Sequence, residues 1–214
     1  MRIYFIPGLG VDERLFMNLK LPGYELRYIH WILPDKNESL PAYALRLAEQ
    51  IDTSQPFILS GVSFGGMCAT EIAKVLKPVK VILISSCKTN DELPWNIRCW
   101  KYFPLHKLLG DRFYINSALR GKEAFGFKGK EQKKLLRDML ESMPAGYFPR
   151  ACNCIIEWKN SSYEQNTIHI HGDNDHILPF RNIKNAIRIK GGSHVMVLNS
   201  AEEVSRTLLE ALHS

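Results

Sequence analysis

The chain has 214 residues, 45% of them hydrophobic and 23% charged, with a net charge of +6. A chain of that length buries about 70% of its unfolded surface, and the composition is that of an ordinary globular unit. A disordered tail, a collagen-like repeat and a disulfide-stapled mini-protein are excluded. No apolar run approaches the ~20 residues of a membrane span, and the opening Met-Arg-Ile-Tyr-Phe-Ile-Pro-Gly lacks the pattern of a signal peptide. Cys68, Cys87, Cys99, Cys152 and Cys154 have no framework spacing, which fits a reduced, cytoplasmic protein.

In chain order, Arg2–Ile6 reads as a short strand running into Pro7-Gly8-Leu9-Gly10. Asp12 is placed to cap a helix with Leu15, Phe16 and Leu19 on one face. Tyr24–Trp31 reads as a second strand, ended by Leu33-Pro34. Ser39 then caps a helix with Pro41 in its first turn and a stripe of Tyr43, Leu47 and Ile51. Phe57–Leu59 enters Ser60-Gly61-Val62-Ser63-Phe64-Gly65-Gly66, and Met67–Leu76 continues as a helix. Val79–Ser85 is a nearly continuous β-branched run, as in a strand covered on both faces. Thr167–His171 and Ala186–Lys190 complete six candidate strands, and Ser200-Ala201-Glu202-Glu203 opens a last helix with a capping-box pattern. The alternation predicts an α/β fold with helices on both faces of a mainly parallel sheet.

Residues 88–165 break that alternation. They hold +5 of the net charge and 12 of the 22 aromatic residues, Phe103 among them, with helical patterns clearest at Glu131–Ser142 and Tyr147–Lys159. A helical cap inserted between two strands is expected, with 1–87 and 166–214 forming the core. The charge follows no single helix face and accompanies no nucleic-acid motif, so a solvated surface is expected rather than nucleic-acid binding.

Gly61-Val62-Ser63-Phe64-Gly65 is a G-x-S-x-G pattern between a strand and a helix. A serine hydroxyl thrust out of so sharp a turn needs glycines on either side to clear the backbone. The Phe64 N–H is then free to face an oxyanion, and Leu9, flanked by glycines after the first strand, is the candidate second donor. A serine nucleophile also needs a base, and the base a carboxylate. Asp175 follows the fifth strand and His194 the sixth, so all three groups fall beyond C-terminal strand ends, where open parallel sheets bind ligands. Asp173 competes with Asp175, which is favoured because it lies further beyond the Gly172 turn.

Several other residues receive plainer readings. His169, His171, Asp173, Asp175 and His176 cluster as metal ligands do, but without a recognised ligand pattern, so no metal is expected. His30, His106 and His213 have no motif around them. Cys152 and Cys154 read as small buried hydrophobes, and Cys87 as pocket wall.

Pro-Gly-Leu-Gly after the first strand, Gly-Val-Ser-Phe-Gly-Gly, His-Gly-Asp-Asn-Asp-His-Ile-Leu-Pro and Gly-Gly-Ser-His together resemble the α/β-hydrolase superfamily over residues 1–87 and 166–214. The resemblance implies a Ser63–His194–Asp175 triad with oxyanion N–H groups from Phe64 and Leu9. It also implies a trimmed six-stranded sheet in the order 2-1-3-4-5-6, lacking the family's leading hairpin. Pro7-Gly8 stands where the family usually has His-Gly, so the backbone donor is kept and the histidine side chain is not. The expected activity is hydrolysis of a small-molecule ester or thioester, with no cofactor. Two alternatives are a triad-based lyase or C–C-bond hydrolase, and a ligand-binding relative without catalysis.

Overall fold

The computed structural model describes residues 1–102 and 104–213, which leaves Phe103 outside the described residues. The β-branched and aromatic runs form six strands: β1 (Arg2–Ile6), β2 (Glu25–Tyr28), β3 (Phe57–Val62), β4 (Lys80–Ile84), β5 (Thr167–Gly172) and β6 (Ile187–Ile189). They make one sheet in the order β2-β1-β3-β4-β5-β6, with every neighbouring pair parallel. All six residues of β3 and four of the five in β4 are buried. Burial of successive residues, whose side chains point to opposite faces, means that both faces are covered.

Register decides where the chemistry falls. Ile6 pairs with Gly61, Val62 with Ile84, Ile84 with Ile170, and Gly172 with Ile189. The strands therefore end level with one another, and the segments after β1, β3, β4, β5 and β6 emerge along a single rim.

The helices are α1 (Leu40–Ala48), α2 (Phe64–Leu76), α3 (Trp95–Cys99), α4 (Asp111–Arg120), α5 (Lys122–Phe125), α6 (Gly129–Glu141), α7 (Tyr147–Ile156), α8 (Met196–Asn199) and α9 (Ala201–His213). Ser39 caps α1 by accepting the Ala42 N–H at 3.4 Å, with Pro41 in the first turn. Helices α3 to α7 all lie between β4 and β5, and no strand interrupts them among the described residues. None of the described helices is long and apolar enough to cross a membrane.

Strands β4 and β6 each lose one expected residue at either end, and three other elements come out shorter for reasons that their contacts show. The helix after Asp12 is a single 3-10 turn, Glu13–Phe16. Beyond it, Asn18 bonds the Leu198 carbonyl and the Lys20 N–H bonds Ser205 Oγ, tying the chain to α8 and α9 instead of letting the helix continue. Strand β2 stops at Tyr28, because Trp31 turns inward to the loop after β1. Helix α7 stops at Ile156, since Trp158 is turned to bond Glu71 of α2 at 2.7 Å.

Candidate active site

Strand β3 delivers Ser63 at φ 53° and ψ −120°, a strained conformation for a residue with a side chain. The neighbouring glycines make the strain bearable. A Cβ on Gly61 would collide with the Gly65 carbonyl, and one on Gly65 with the carbonyls of Ile6 and Pro7. Gly66 is bare because Ser86 packs there, and the Ser86 hydroxyl donates to the Ser63 carbonyl at 2.7 Å.

Three side chains meet above this turn. His194 Nε2 lies 2.9 Å from Ser63 Oγ, and its Nδ1 lies 2.7 Å from Asp175 Oδ2. His194 and Asp175 are both buried. The other carboxylate oxygen of Asp175 accepts the backbone N–H groups of Ile177 and Leu178, each at 2.8 Å. Burial opposes the charged carboxylate, but His194, His171 and the Leu178 N–H outweigh it and hold Asp175 below the usual carboxylate range. Asp173 faces elsewhere: Arg188 Nε donates to it at 2.7 Å and the Gly191 N–H at 2.6 Å. Between the two candidate acids, Asp175 is the one beside His194.

The loop after β1 closes the site on the other side. A Cβ on Gly8 would stand 3.6 Å from that of Ser63. Neither the Leu9 nor the Phe64 N–H has a hydrogen-bond partner among the described residues, so both are available to an incoming oxyanion.

No family model and no curated protein matches the sequence. Solved structures do match its fold. A hydrolase from Pseudomonas aeruginosa PA01 aligns with a TM-score of 0.74 at 12% identity, over 100% of this chain and 90% of that one. A thermophilic esterase from Thermogutta terrifontis aligns with a TM-score of 0.71 at 18% identity, over 100% and 89%. YbtT, a type II thioesterase from the yersiniabactin NRPS/PKS biosynthetic pathway, aligns at 0.66 with 14% identity, over 98% and 92%. The chain has the α/β-hydrolase fold.

In this α/β-hydrolase fold a cavity of about 420 Å³ opens at Ser63 and His194 and runs beneath the helices between β4 and β5. Its walls are apolar, with Leu9, Phe64 and Met67 from the core facing Trp100, Phe127, Leu140, Phe148 and Ile155. Further in, Tyr114 donates to the His106 carbonyl at 2.9 Å and His106 Nε2 lies 3.1 Å from Asn153 Oδ1, while the buried His106 Nδ1 has no hydrogen-bond partner among the described residues. The described aromatics of residues 88–165 do not share one role. Phe127 and Phe148 are buried in the cavity wall, Tyr147 and Trp158 are buried in the core away from it, and Trp95 and Tyr102 are exposed. The helices are tied down near His194, where the Val195 N–H donates to the Phe125 carbonyl at 3.1 Å and Asn199 Nδ2 to the Gly126 carbonyl at 2.7 Å.

Cys87 corrects the sequence reading. It lies fully buried outside the cavity wall, and burial pushes its thiol up. Cys152 does line the cavity, its thiol pushed up to about 12 by burial. Among the described residues no group of three or more His, Cys, Asp or Glu side chains is arranged to hold a metal. His169 and His171 instead bond each other, His169 Nε2 lying 3.2 Å from His171 Nδ1.

Three contributors escaped the sequence reading. The Trp31 indole N–H points at the Gly8 and Val11 carbonyls, 3.1 and 2.9 Å away, and so fixes the loop that carries Leu9. Ser86 anchors the turn, and buried Lys88 reaches His169. Each acts across the sheet rim on a residue distant in sequence, and no local spacing signals such a contact.

Proposed function

We propose that the protein is a serine hydrolase of carboxylic esters or thioesters with an apolar acyl group, acting through an acyl-enzyme on Ser63. The observation that carries this reading is the continuous run of contacts from Ser63 Oγ through His194 to Asp175, at 2.9 and 2.7 Å. His194 Nε2 takes the hydroxyl proton as Ser63 Oγ attacks the substrate carbonyl carbon. Asp175 holds the other ring nitrogen and stabilises the imidazolium. The Leu9 and Phe64 N–H groups receive the oxyanion, and the N-terminus of α2 adds a favourable field. His194 returns its proton to the departing alcohol or thiol. Water then repeats the sequence to release the acid and restore Ser63.

The acyl group enters the cavity beneath residues 88–165, which serve as the cap. The free energy gained by burying each methylene there favours acyl chains over acetate. The likeness to an esterase and a type II thioesterase agrees with this reading. No step calls on a metal or cofactor, and the partner is a small-molecule substrate.

The test is hydrolysis of a matched series of acyl esters and acyl thioesters by the wild type and Ser63→Ala. Release of the free acid that disappears in Ser63→Ala supports the proposal. A folded wild type that hydrolyses no member of either series contradicts it.

A further inference from the structure

Behind Asp175 lies a buried polar chain that hydrolysis as described does not use. Lys88 and Glu92 are almost fully buried and lie 3.2 Å apart. Glu92 also accepts the Lys88 N–H at 2.7 Å and the Lys184 N–H at 3.0 Å. The Lys88 ammonium, which bonds the Lys184 carbonyl as well, lies 3.0 Å from His169 Nδ1. His169 Nε2 lies 3.2 Å from His171 Nδ1. His171 Nε2 lies 2.8 Å from the Leu178 carbonyl and 3.4 Å from Asp175 Oδ2, the oxygen that meets His194.

The chemistry of the donors fixes the direction of every proton. An ammonium has no lone pair, so Lys88 donates and His169 Nδ1 accepts. The His169 proton is therefore on Nε2, and His171 Nδ1 accepts it. The His171 proton is then on Nε2, directed at the Leu178 carbonyl and the Asp175 carboxylate. Burial, with Lys88 and His171 alongside, keeps His169 well below the usual imidazole range, which agrees with a neutral ring. The bond to Leu178 closes a clamp, because the same residue returns its N–H to Asp175 Oδ1.

We propose that His171 is a positioning residue for Asp175, held in a single neutral tautomer by Lys88 acting through His169. The proposal rests on the reading of Asp175 as the partner of a catalytic His194. His171 neutralises part of the carboxylate and holds its loop in place. Removing the ring leaves a carboxylate that binds the His194 proton more tightly, so Ser63 is activated only at higher pH. The charged and titratable groups facing His171 and Asp175 are His169 on β5, Lys88 and Glu92 after β4, Cys87 beside them, and His194 after β6. The Phe180 ring from the 3-10 turn after Pro179 approaches His171, and Arg188, the register partner of His171 on β6, lies over that ring and bonds Asp173.

Two readouts test the idea. Nitrogen-15 NMR of the wild type reads which ring nitrogen of each histidine carries a proton, independently of activity. Protons on Nε2 of both His169 and His171 are expected, and a proton on His171 Nδ1 overturns the proposal. The second readout is the rate of Ser63 labelling by an alkyl fluorophosphonate as a function of pH. His171→Leu should label about tenfold more slowly with unchanged reagent affinity, as suits a lost hydrogen bond to a charged group, and its acid limb should move to higher pH. His171→Gln, whose amide N–H stands near the Nε2 position, should restore most of both. Wild-type behaviour in a folded His171→Leu overturns the proposal, as does a rate loss that Gln leaves uncorrected. If His171→Leu does not fold, the tautomer spectrum decides. A wild type that is never labelled counts against the hydrolase reading, while the spectrum still judges the chain of histidines.

Discussion

Ser86 donates its hydroxyl to the backbone carbonyl of Ser63, 2.7 Å away, so the segment after β4 holds the strained turn that presents Ser63. Gly66 leaves space for that approach. Ser86→Ala removes a hydrogen bond within a buried region and should cost about 1–3 kcal/mol of stability. For a chain of this size that is a few degrees in melting temperature, roughly 2–4 °C per kcal/mol. The variant should also lose turnover while keeping KM, and unchanged values of both kcat and melting temperature would show that the turn holds itself.

Trp31 plays the matching part on the other side of the site. Trp31→Phe keeps most of the ring stacked on Phe64, whose centroid lies 5.2 Å away, but removes the N–H that bonds Gly8 and Val11. If Leu9 supplies an oxyanion donor, loosening its loop should lower kcat by up to the 10²–10³-fold typical of losing one such donor. KM should change little. A rise in KM with unaltered kcat would assign Trp31 to substrate binding instead.

The two neighbouring aspartates should respond very differently. Asp175→Asn leaves His194 with an amide in place of its carboxylate and should reduce kcat by roughly 10⁴-fold, as such replacements do in Ser-His-Asp sites. Asp173→Asn weakens the tie to Arg188 and Gly191 at the sheet edge and should leave turnover within a few-fold. Steady-state kinetics of the two purified variants gives the ranking, and the reverse order would reassign the acid.

Much of this site is legible in the sequence because its physical demands are local. A strained serine turn needs glycines at fixed offsets, so Gly61 and Gly65 announce Ser63. Level strand ends place Asp175 and His194 near it once the six runs are read as one parallel sheet. What stays hidden is contact between residues far apart. Trp31 reads as the end of a strand until the loop it bonds is in view. His169 and His171 share a strand face, as period-two spacing requires, and that pattern alone equally suits a metal site. Lys88, brought in by β4, decides their role, and nothing in its own neighbourhood marks it as buried.

His169 also gives stability a pH dependence. Its folded-state imidazole titrates well below the ordinary range, whereas in the unfolded chain it titrates near ~6.5. The unfolded state therefore binds the extra proton first. The contribution is complete above about pH 6.5 and falls as the pH drops below it, by up to about 1.4 kcal/mol per pH unit. Melting temperatures measured from pH 8 to pH 5 should decline on the acid side, and His169→Gln should flatten the decline. An identical decline in the variant would assign the effect to other groups.

On the proposed reading, the cavity should set acyl selectivity. Each methylene buried between Phe148, Leu140 and Phe127 is worth about 0.8 kcal/mol, or roughly fourfold in kcat/KM. Activity on p-nitrophenyl esters should climb from acetate through medium chains and then fall once the cavity is filled. Leu140→Ala should move the optimum to longer chains. A preference for acetate, unchanged in Leu140→Ala, would place the acyl group elsewhere.

The most direct measurement is covalent capture by an alkyl fluorophosphonate, read by intact mass and peptide mapping. One phosphonyl adduct per chain, mapped to Ser63, absent in Ser63→Ala and strongly slowed in His194→Ala, is the expected result. A folded protein that takes no adduct, or takes it on another residue at the same rate with and without His194, would contradict the account.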